Sequence, residues 1–327
     1  MAPVLPPSLD VHLSGDDLRT SLEADARTGL TAAEKWLPPV WFYDDRGSDL
    51  FDQITRLPEY YPTRAERLLL ETHAADIARA AGADTLVELG AGTCEKSRIL
   101  LDAMREAGTL ERYIPLDVSD GTLWAAATAL ADDYPGLAVH AVVADFHRHL
   151  DRLPSDGRRM VAFLGGTIGN LTPDQRSRFL FDLDCTMVTG DSLLLGTDLV
   201  KDPARLVAAY DDAAGVTAEF NRNVLHVLNR RLGAGFDPDR FDHVALWNEE
   251  DNWIEMRLRS REDQVVPVPG LDLELTFEKG EDLRTEISAK FTRDGVEAEL
   301  WAAGFVVTEM WDQPGGDFLL TLATPYC

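Results

Sequence analysis

The chain has 327 residues, and its 57 Asp and Glu residues against 31 Lys and Arg give a formal net charge of −26 at pH 7. This acidity argues against a nucleic-acid partner and against an anionic membrane surface, because both attract clustered Lys and Arg. A hydrophobic content of 45% and a charged content of 27% are typical of a globular protein with one large domain or two coupled ones. After these exclusions, the composition is compatible with an enzyme or a binding protein that has a small ligand.

Signals for secretion, membrane insertion and metal binding are missing from the sequence. Residues 1–10, MAPVLPPSLD, lack the basic start and apolar run of a secretion signal, and no stretch of about 20 apolar residues occurs. Cys94, Cys185 and Cys327 are far apart, as expected for free thiols in a reducing cytoplasm. His147 and His149 have no further ligand pattern beside them, so we expect no metal site. We therefore expect a cytoplasmic protein.

Short apolar runs alternate with helical patterns from about residue 62 onward, after an N-terminal segment (1–61) with one helical pattern and an aromatic-rich stretch. The runs are TLVEL (85–89), RYIPLD (112–117), AVHAVVAD (138–145), MVAFLG (160–165) and SLLLGTD (192–198). Nearly continuous apolar strands separated by helices of about 10–15 residues are typical of parallel βαβ units. This pattern predicts a doubly wound α/β sheet.

The pattern changes after Lys201, where long helical stretches are followed by alternating, strand-like ones up to about residue 285. The C-terminal GFVVTEMW and DFLLTLAT bracket DQPGG, which predicts a β-hairpin that adds antiparallel strands to the sheet. We expect two domains. The sheet domain would comprise 62–200 with 286–327, and a second, α+β domain would comprise 1–61 with 201–285.

The best local motif is TLVELGAGTCEKS at residues 85–97, where a strand pattern runs into a glycine-containing turn and then a helical pattern. Gly90 and Gly92 allow a tight turn and close approach of a ligand to the backbone. A dinucleotide-binding loop would require a glycine in place of Glu95, and the Gly-Lys-Ser/Thr of a P-loop is absent. The short E-L-G-x-G resembles motif I of class I S-adenosylmethionine-dependent methyltransferases. Another nucleotide site, or a turn without a ligand, stays an alternative on this motif alone.

Polar residues also follow the next strands. Asp117 ends the second strand, where it could accept hydrogen bonds from ribose hydroxyls, and Asp145 with Phe146 ends the third, where they could contact an adenine ring. The fourth strand leads into GGTIGN (165–170), in which Asn170 offers both a donor and an acceptor. Ligands of open α/β sheets bind at the carboxyl ends of the strands. The order of these residues therefore favours an adenosine-bearing ligand, although each Asp alone could be a helix cap or a turn residue.

Several longer stretches resemble one family, the bacterial L-histidine Nα-methyltransferases of ergothioneine biosynthesis, from about residue 20 to 325. The similar stretches are PPxWFYDxxGSxLFDxITxLPEYYPTRxE (38–66), VELGxGxxEKxRxLLDAM (87–104), FLGxTIGNLTP (163–173), GTDLVKDxxxLxxAYDDAxGVTAxFNxN (196–223), TEISAKF (285–291) and WDxPxGDF (311–318). Ala91 and Cys94 stand where the family often has Ser. Both are small, so we expect donor binding to be kept.

This resemblance implies a class I methyltransferase domain, a substrate domain, S-adenosyl-L-methionine as methyl donor and L-histidine as substrate, converted to trimethylhistidine (hercynine). It also implies roles for residues of this chain. The implied donor contacts are Gly90, Lys96, Asp117, Asp145 and Phe146. The implied substrate contacts are Tyr60, Asn170 and Tyr210 at the α-carboxylate and amine, and Glu286 and Ser288 at the imidazole. Tyr43 is the catalytic candidate near the amine.

Two rival functions stay open at this point. A methyltransferase of the same fold could act on tryptophan or a prenylated tryptophan, but an indole ring offers no partner for the carboxylate of Glu286. A non-catalytic protein could bind S-adenosylmethionine without transferring its methyl group. We expect a monomer that binds neither nucleic acid nor membrane.

Overall fold

The predicted alternation of strands and helices is present in a computed structural model that describes residues 4–313 and 315–326. Cys327, expected to be a free thiol, lies outside these residues. The strands, in chain order, are β1 (Ser8–Val11), β2 (Lys35–Trp36), β3 (Thr85–Leu89), β4 (Arg112–Asp117), β5 (Ala138–Val143), β6 (Arg159–Phe163), β7 (Ser192–Asp198), β8 (Phe241–Asn248), β9 (Trp253–Ser260), β10 (Gln264–Val268), β11 (Leu273–Phe277), β12 (Asp282–Ala289), β13 (Phe305–Asp312) and β14 (Phe318–Pro325). The α-helices are α1 (Gly15–Leu30), α2 (Asp45–Thr55), α3 (Pro62–Ala81), α4 (Ser97–Glu106), α5 (Asp120–Asp133), α6 (Pro173–Thr186), α7 (Pro203–Tyr210), α8 (Val216–Leu232) and α9 (Arg293–Ala302).

These elements form two units. The first unit comprises the chain up to Ser14, Arg64–Leu199 and the chain from Phe291 onward, and the second comprises Gly15–Thr63 and Val200–Lys290.

The first unit contains a sheet with the strand order β1-β5-β4-β3-β6-β7-β14-β13. The ladders from β1 to β7 are parallel, and α4, α5 and α6 provide the crossovers. Every residue of β3, β6 and β7 is buried, which requires cover on both faces of the sheet. The predicted doubly wound sheet is confirmed. Its strand order reverses between β3 and β6, so the loops after these two strands flank the point where such sheets bind ligands.

The predicted C-terminal hairpin is also confirmed. β14 pairs antiparallel with β7 and with β13, so the hairpin extends the parallel sheet by two antiparallel strands.

The second unit contains a four-stranded sheet, β2-β12-β9-β8, and the separate antiparallel hairpin β10-β11. The register of β12 against β9 shifts between Arg284 and Glu286, which is a β-bulge at Thr285. After the bulge the pairing is regular, with Glu286 opposite Met256 and Ser288 opposite Ile254. Glu286 and Ser288 therefore lie on one face of β12.

Two of the expected domain boundaries differ from the units. Residues 8–11, assigned to the second domain, form β1 at the edge of the large sheet, where Ser8–Val11 pairs with His140–Val143. All four residues of β1 are exposed, and although Leu9 and Val11 alternate with polar residues, the strand lacks the continuous apolar run that marks the central strands. Residues 286–290, assigned to the sheet domain, belong to the second unit, because β12 begins at Asp282 and continues to Ala289 beside β9.

The described ranges lack two features, a membrane-spanning helix and a metal-binding cluster. No helix between residues 4 and 313 or 315 and 326 has the length and apolar character needed to cross a membrane. In the same ranges, no group of three or more His, Cys, Asp or Glu side chains is arranged to hold a metal ion.

Candidate functional site

The loop after β3 is shaped by glycines in the left-handed region. Gly90 has φ +70° and Gly92 has φ +52°, and a Cβ atom added at either would meet nothing within 4 Å. The backbone N–H groups of Gly90 and Ala91 both donate to the carbonyl of Leu116, at 2.9 and 3.0 Å. This loop is therefore fixed to β4 and leaves open space beside its glycines.

Asp117, at the end of β4, is bonded to the same loop. One carboxylate oxygen accepts from the N–H of Gly92 at 2.9 Å, and the other accepts from the N–H of Ser119 at 3.0 Å. Burial raises the pKa of Asp117 although these hydrogen bonds lower it. Each oxygen still has a lone pair for a ligand hydroxyl. The structure thus brings Gly90 and Asp117 together, as expected from the sequence.

Asp145 and Phe146 follow β5. A carboxylate oxygen of Asp145 accepts from the N–H of His147 at 2.8 Å, which closes a turn. The ring of Phe146 packs against Phe163 and Phe179, with centroid distances of 5.2 and 5.7 Å, and is half-buried. Asp145 therefore has a structural role in the turn, and its second oxygen lies 4.0 Å from Nε of Arg148. The accessible part of the Phe146 ring remains for a ligand.

The loop after β6 contains two more left-handed glycines, Gly165 (φ +78°) and Gly166 (φ +66°), followed by the 3₁₀ turn Thr167–Asn170. Asn170 is the last residue of this turn and is half-buried. Both loops that flank the strand-order reversal thus place glycine backbone at the carboxyl edge of the sheet.

Glu66 on α3 joins these two loops and was not selected from the sequence. Its side chain is fully buried, and its two oxygens accept from Nζ of Lys96 and from the N–H of Gly165, both at 2.6 Å. Lys96, the expected contact for the donor carboxylate, is therefore already ion-paired with Glu66.

A second buried carboxyl group lies beneath the glycine loop. Glu88 of β3 accepts a hydrogen bond from the hydroxyl of Ser97 and another from the hydroxyl of Tyr113, the latter at 2.6 Å. Burial raises the pKa of Glu88 despite these bonds. Burial also raises the pKa of the nearby Cys94 thiol to about 12, so this cysteine is unreactive at neutral pH. We assign these groups to holding the loop.

In the second unit, the predicted tyrosines are joined by a row of aromatic contacts. Tyr43 contacts Phe51 with a centroid distance of 5.5 Å, Phe51 contacts Tyr60 at 6.2 Å, and Tyr60 contacts Tyr210 at 6.1 Å. Tyr60 and Tyr210 are buried, whereas Tyr43 is 44% exposed. Three of the candidate residues are therefore members of one packed row.

The row ends in a hydrogen-bonded triangle. The hydroxyls of Tyr210 and Ser288 lie 2.7 Å apart, and Nζ of Lys290 donates to Tyr210 at 2.9 Å and to Ser288 at 2.8 Å. Lys290 is only 4% exposed, and its ammonium also lies 4.8 Å from the centroid of the Tyr210 ring. The half-buried Glu286 lies on the same face of β12 as Ser288.

A further network fixes the backbone of Tyr210. The amide of Asn221 donates to Nδ1 of His243 at 2.8 Å, and Nε2 of His243 donates to the carbonyl of Tyr210 at 2.8 Å. Burial lowers the pKa of His243, so it is neutral at pH 7. The Asn221 carbonyl accepts from Thr285 at 2.6 Å, which ties α8 to the bulge in β12.

Comparison with known proteins decides the family. Residues 22–325 match the model of a family described as histidine-specific, SAM-dependent methyltransferases. The chain belongs to this family. It is 59% identical over 316 residues to the histidine N-alpha-methyltransferase of Mycolicibacterium smegmatis, covering 97% of this chain and 98% of that protein. It is 55% identical over 312 residues to the protein of the same name from Mycobacterium tuberculosis, covering 95% of this chain and 97% of that protein.

A more distant relative is ergothioneine biosynthesis protein 1 of Neurospora crassa, which is 31% identical over 230 residues, or 67% of this chain and 26% of that protein. Family membership confirms the resemblance found in the sequence. The α/β fold of the first unit is that of a class I SAM-dependent methyltransferase, and the methyl donor is S-adenosyl-L-methionine.

The residues of the first unit suit this donor. A cationic nucleoside without phosphate needs backbone close to its methionine chain and acceptors for its ribose hydroxyls, which the left-handed glycines and Asp117 can offer. A pyrophosphate would instead lie beside the carboxylates of Asp117 and Glu66, where like charges repel.

Two buried charged residues, Glu66 and Lys290, were not selected from the sequence. Glu66 closes the PTRAE stretch and lies in the first turns of α3, and only its buried contacts distinguish it from a surface glutamate. Lys290 follows Glu286 and Ser288 at the same two-residue spacing in TEISAKF, and this continued alternation was the available signal.

Proposed function

We propose that this chain transfers methyl groups from S-adenosyl-L-methionine to the α-amine of L-histidine, three times in succession, to give trimethylhistidine for ergothioneine biosynthesis. The observation that carries the proposal is the identity of 59% and 55% with two histidine N-alpha-methyltransferases over nearly the whole chain. The matched residues cover 97% and 95% of this chain and so include elements of both units.

In this proposal the first unit holds the donor. Gly90 and Asp117 would bind its ribose side, Asp145 and Phe146 its adenine, and Lys96 its carboxylate. When bound, the donor supplies an electrophilic methyl group on a sulfonium. The contribution of the protein is mainly to position the amine nitrogen for in-line attack. Because only a free lone pair can attack, each transfer requires loss of one proton from the ammonium form of the substrate.

The substrate roles are assigned to Tyr60, Asn170 and Tyr210 at the α-carboxylate and amine, and to Glu286 and Ser288 at the imidazole. Tyr43 is proposed to act near the nitrogen. A cytoplasmic location and a monomeric state complete the proposal. Light scattering on the purified protein should then give the chain mass of 36.2 kDa.

The experiment is an activity screen. The purified protein is incubated with S-adenosylmethionine and each of the twenty amino acids, and mass gains of one to three methyl groups are sought by mass spectrometry. We expect three methyl groups on histidine. Methylation of tryptophan in preference to histidine would support the first rival, and donor binding without methylation of any amino acid would support a non-catalytic protein.

Glu286 distinguishes histidine from an indole substrate. Glu286→Ala should lower kcat/KM for histidine by at least about tenfold, because one hydrogen bond to a charged acceptor is worth roughly 1.5–3 kcal/mol. Donor affinity, measured by calorimetry with S-adenosylhomocysteine, should stay within about twofold of the parent value. Equal losses of histidine turnover and donor affinity would contradict the assigned role.

A further inference from the structure

Lys290 joins two side chains that the proposed function assigns to opposite ends of histidine. An ammonium group has three protons and no lone pair, so it can only donate. Both hydroxyl oxygens of the triangle, on Tyr210 and Ser288, therefore accept from Lys290. The oxygens also lie 2.7 Å apart, so one of the two hydroxyl protons lies between them.

One hydroxyl proton is then left to point out of the triangle. If Ser288 donates to Tyr210, the phenol presents a donor outward and Ser288 presents a lone pair. If Tyr210 donates to Ser288, the roles are exchanged. In either arrangement the pair directs one donor and one acceptor outward from the triangle, and a change in the direction of one hydroxyl reverses the direction of the other.

We propose that Lys290 is a positioning residue that makes Tyr210 and Ser288 act as one recognition unit, and so couples binding at the two ends of the histidine substrate. This role rests on the proposed function, since it takes Tyr210 and Ser288 as substrate contacts. Lys290 itself acts through the two hydroxyls.

The surroundings of Lys290 favour such a role over simple packing. Its side chain is buried, and an apolar side chain of similar length would fill the same space without the cost of desolvating an ammonium. His243 also holds the backbone carbonyl of Tyr210 in place, so the orientation of the phenol hydroxyl depends on the hydrogen bonds that it makes itself. A role in recognition, rather than in stability, would account for the burial of this charge.

The test is a set of thermodynamic cycles on histidine affinity, measured by calorimetry on the full chain saturated with S-adenosylhomocysteine. Lys290→Met is introduced into the parent chain and into the Tyr210→Phe/Ser288→Ala double variant. We expect Lys290→Met to weaken histidine binding by about tenfold or more in the parent chain, the factor for a charged hydrogen bond. In the double variant its effect should fall below about twofold. The two single hydroxyl variants should be clearly non-additive.

A lysine needed only for folding would behave differently, because its removal would cost the same in both backgrounds. Equal losses in the two backgrounds, or an unchanged histidine affinity in Lys290→Met, would overturn the proposal. If Lys290→Met does not fold, Lys290→Arg keeps a charged donor and should retain histidine affinity within about threefold, whereas Lys290→Gln should not.

The outcome for the proposed function is read separately. If the parent chain neither binds nor methylates histidine, the proposed function fails. If histidine is bound and methylated but the cycle through Lys290 is additive, only the coupling role fails.

Discussion

Glu66 places a fully buried negative charge between Lys96 and the backbone of Gly165, in the loops that flank the strand-order reversal. Glu66→Gln keeps the size of the side chain and an acceptor for Gly165 but removes the charge. Without its ion pair, Lys96 would no longer be held in one position before the donor binds. Ordering it on binding would then cost roughly 1.5–2 kcal/mol of side-chain entropy. The donor also has a net positive charge, so loss of a nearby carboxylate weakens its attraction. Both effects predict binding of S-adenosylmethionine about tenfold weaker.

Calorimetry with two ligands checks this prediction. S-adenosylhomocysteine lacks the sulfonium charge, so Glu66→Gln should weaken its binding less than that of S-adenosylmethionine. Glu71→Gln is the matched control, since Glu71 lies on the same helix in an exposed pair with Arg67. Unchanged donor affinity in Glu66→Gln would show that Lys96 does not depend on Glu66.

The hydroxyl of Tyr43 can be removed without disturbing the packing of its ring. Its ring packs against Phe51 and Phe220, each with a centroid distance of 5.5 Å, and these contacts do not need the hydroxyl. Tyr43→Phe should therefore fold and bind histidine, while monomethyl and dimethyl histidine accumulate, because the hydroxyl would no longer assist the later transfers. Mass spectrometry of a time course measures the intermediates. Tyr326→Phe, at a 71% exposed position, should behave as the parent chain. Unchanged formation of trimethylhistidine by Tyr43→Phe would remove Tyr43 from the mechanism.

Sequence reasoning worked best for residues at strand ends. Gly90 and Asp117 could be placed near each other because a parallel sheet puts the carboxyl ends of its strands at one edge. Glu66 and Lys290 could not be found in this way, because neither the helix pattern around Glu66 nor the strand pattern before Lys290 says which polar residue is buried or what it contacts. Their importance depends on contacts between segments far apart in the chain, such as Glu66 with Gly165 and Lys290 with Tyr210.

The N-terminus of helix α6 is stabilised by side-chain hydrogen bonds. Its N-terminus has a capping box, in which the Thr172 hydroxyl accepts from the N–H of Gln175 and the Gln175 side chain accepts from the N–H of Thr172 at 2.9 Å. Loss of such a cap costs about 1 kcal/mol. For a unit of this size that corresponds to a fall of roughly 2–4 °C in melting temperature. We expect Thr172→Ala to show this fall in a thermal scan.

The matched control is Thr128→Ala on α5, where the exposed hydroxyl donates to the carbonyl of Trp124 within the helix. Alanine has the higher helix propensity at an interior position, so this variant should melt at the same temperature as the parent chain or slightly above it. A fall of equal size in both variants would mean that the cap contributes nothing specific.

Buried strands could be predicted from the sequence, whereas exposed or very short strands could not. β3, β6 and β7 are buried at every position, and their continuous apolar runs were recognised in the sequence. β1 has only exposed residues and an alternation of just four residues, and β2 is two residues long, so neither contains the continuous apolar run of the central strands. Their pairing depends on the neighbouring strand, which a local pattern does not reveal.

At the scale of the whole molecule, the two units should respond differently to acid. The second unit contains four carboxyl groups with lowered pKa values, Asp44, Asp212, Glu255 and Asp282. Burial raises these pKa values, but hydrogen bonds outweigh it, helped by a nearby arginine in every case except Asp212. A lowered pKa in the folded state stabilises the fold above the ordinary carboxyl pKa of 3.8 to 4.5. That contribution is lost as the pH falls through the folded value.

In the first unit the shifts have the opposite sign. Burial raises the pKa values of Glu88, Asp117 and Asp184, so these groups take up protons in the folded state at a higher pH than in the unfolded chain. Their charged forms destabilise the folded state at pH 7, and this cost is relieved as the pH falls. Acidification from pH 7 to below pH 4 should therefore favour the first unit relative to the second.

Hydrogen exchange measured by mass spectrometry at pH 7, 5, 4 and 3, corrected for the pH dependence of intrinsic exchange, tests this order, because the lowered pKa values of the second unit lie below the ordinary carboxyl range. Protection in β9 and β12 should fall at a higher pH than protection in β3 and β6. Asp282→Asn removes a carboxylate that is bonded to Arg257 and Arg259, so it should lower protection of β12 at pH 7 and flatten its further loss in acid. If β3 and β6 lost protection first, the assignment of these pKa shifts to the two units would be wrong. Carboxyl groups with raised pKa values should become less destabilising in acid, so the first unit should keep its protection longer.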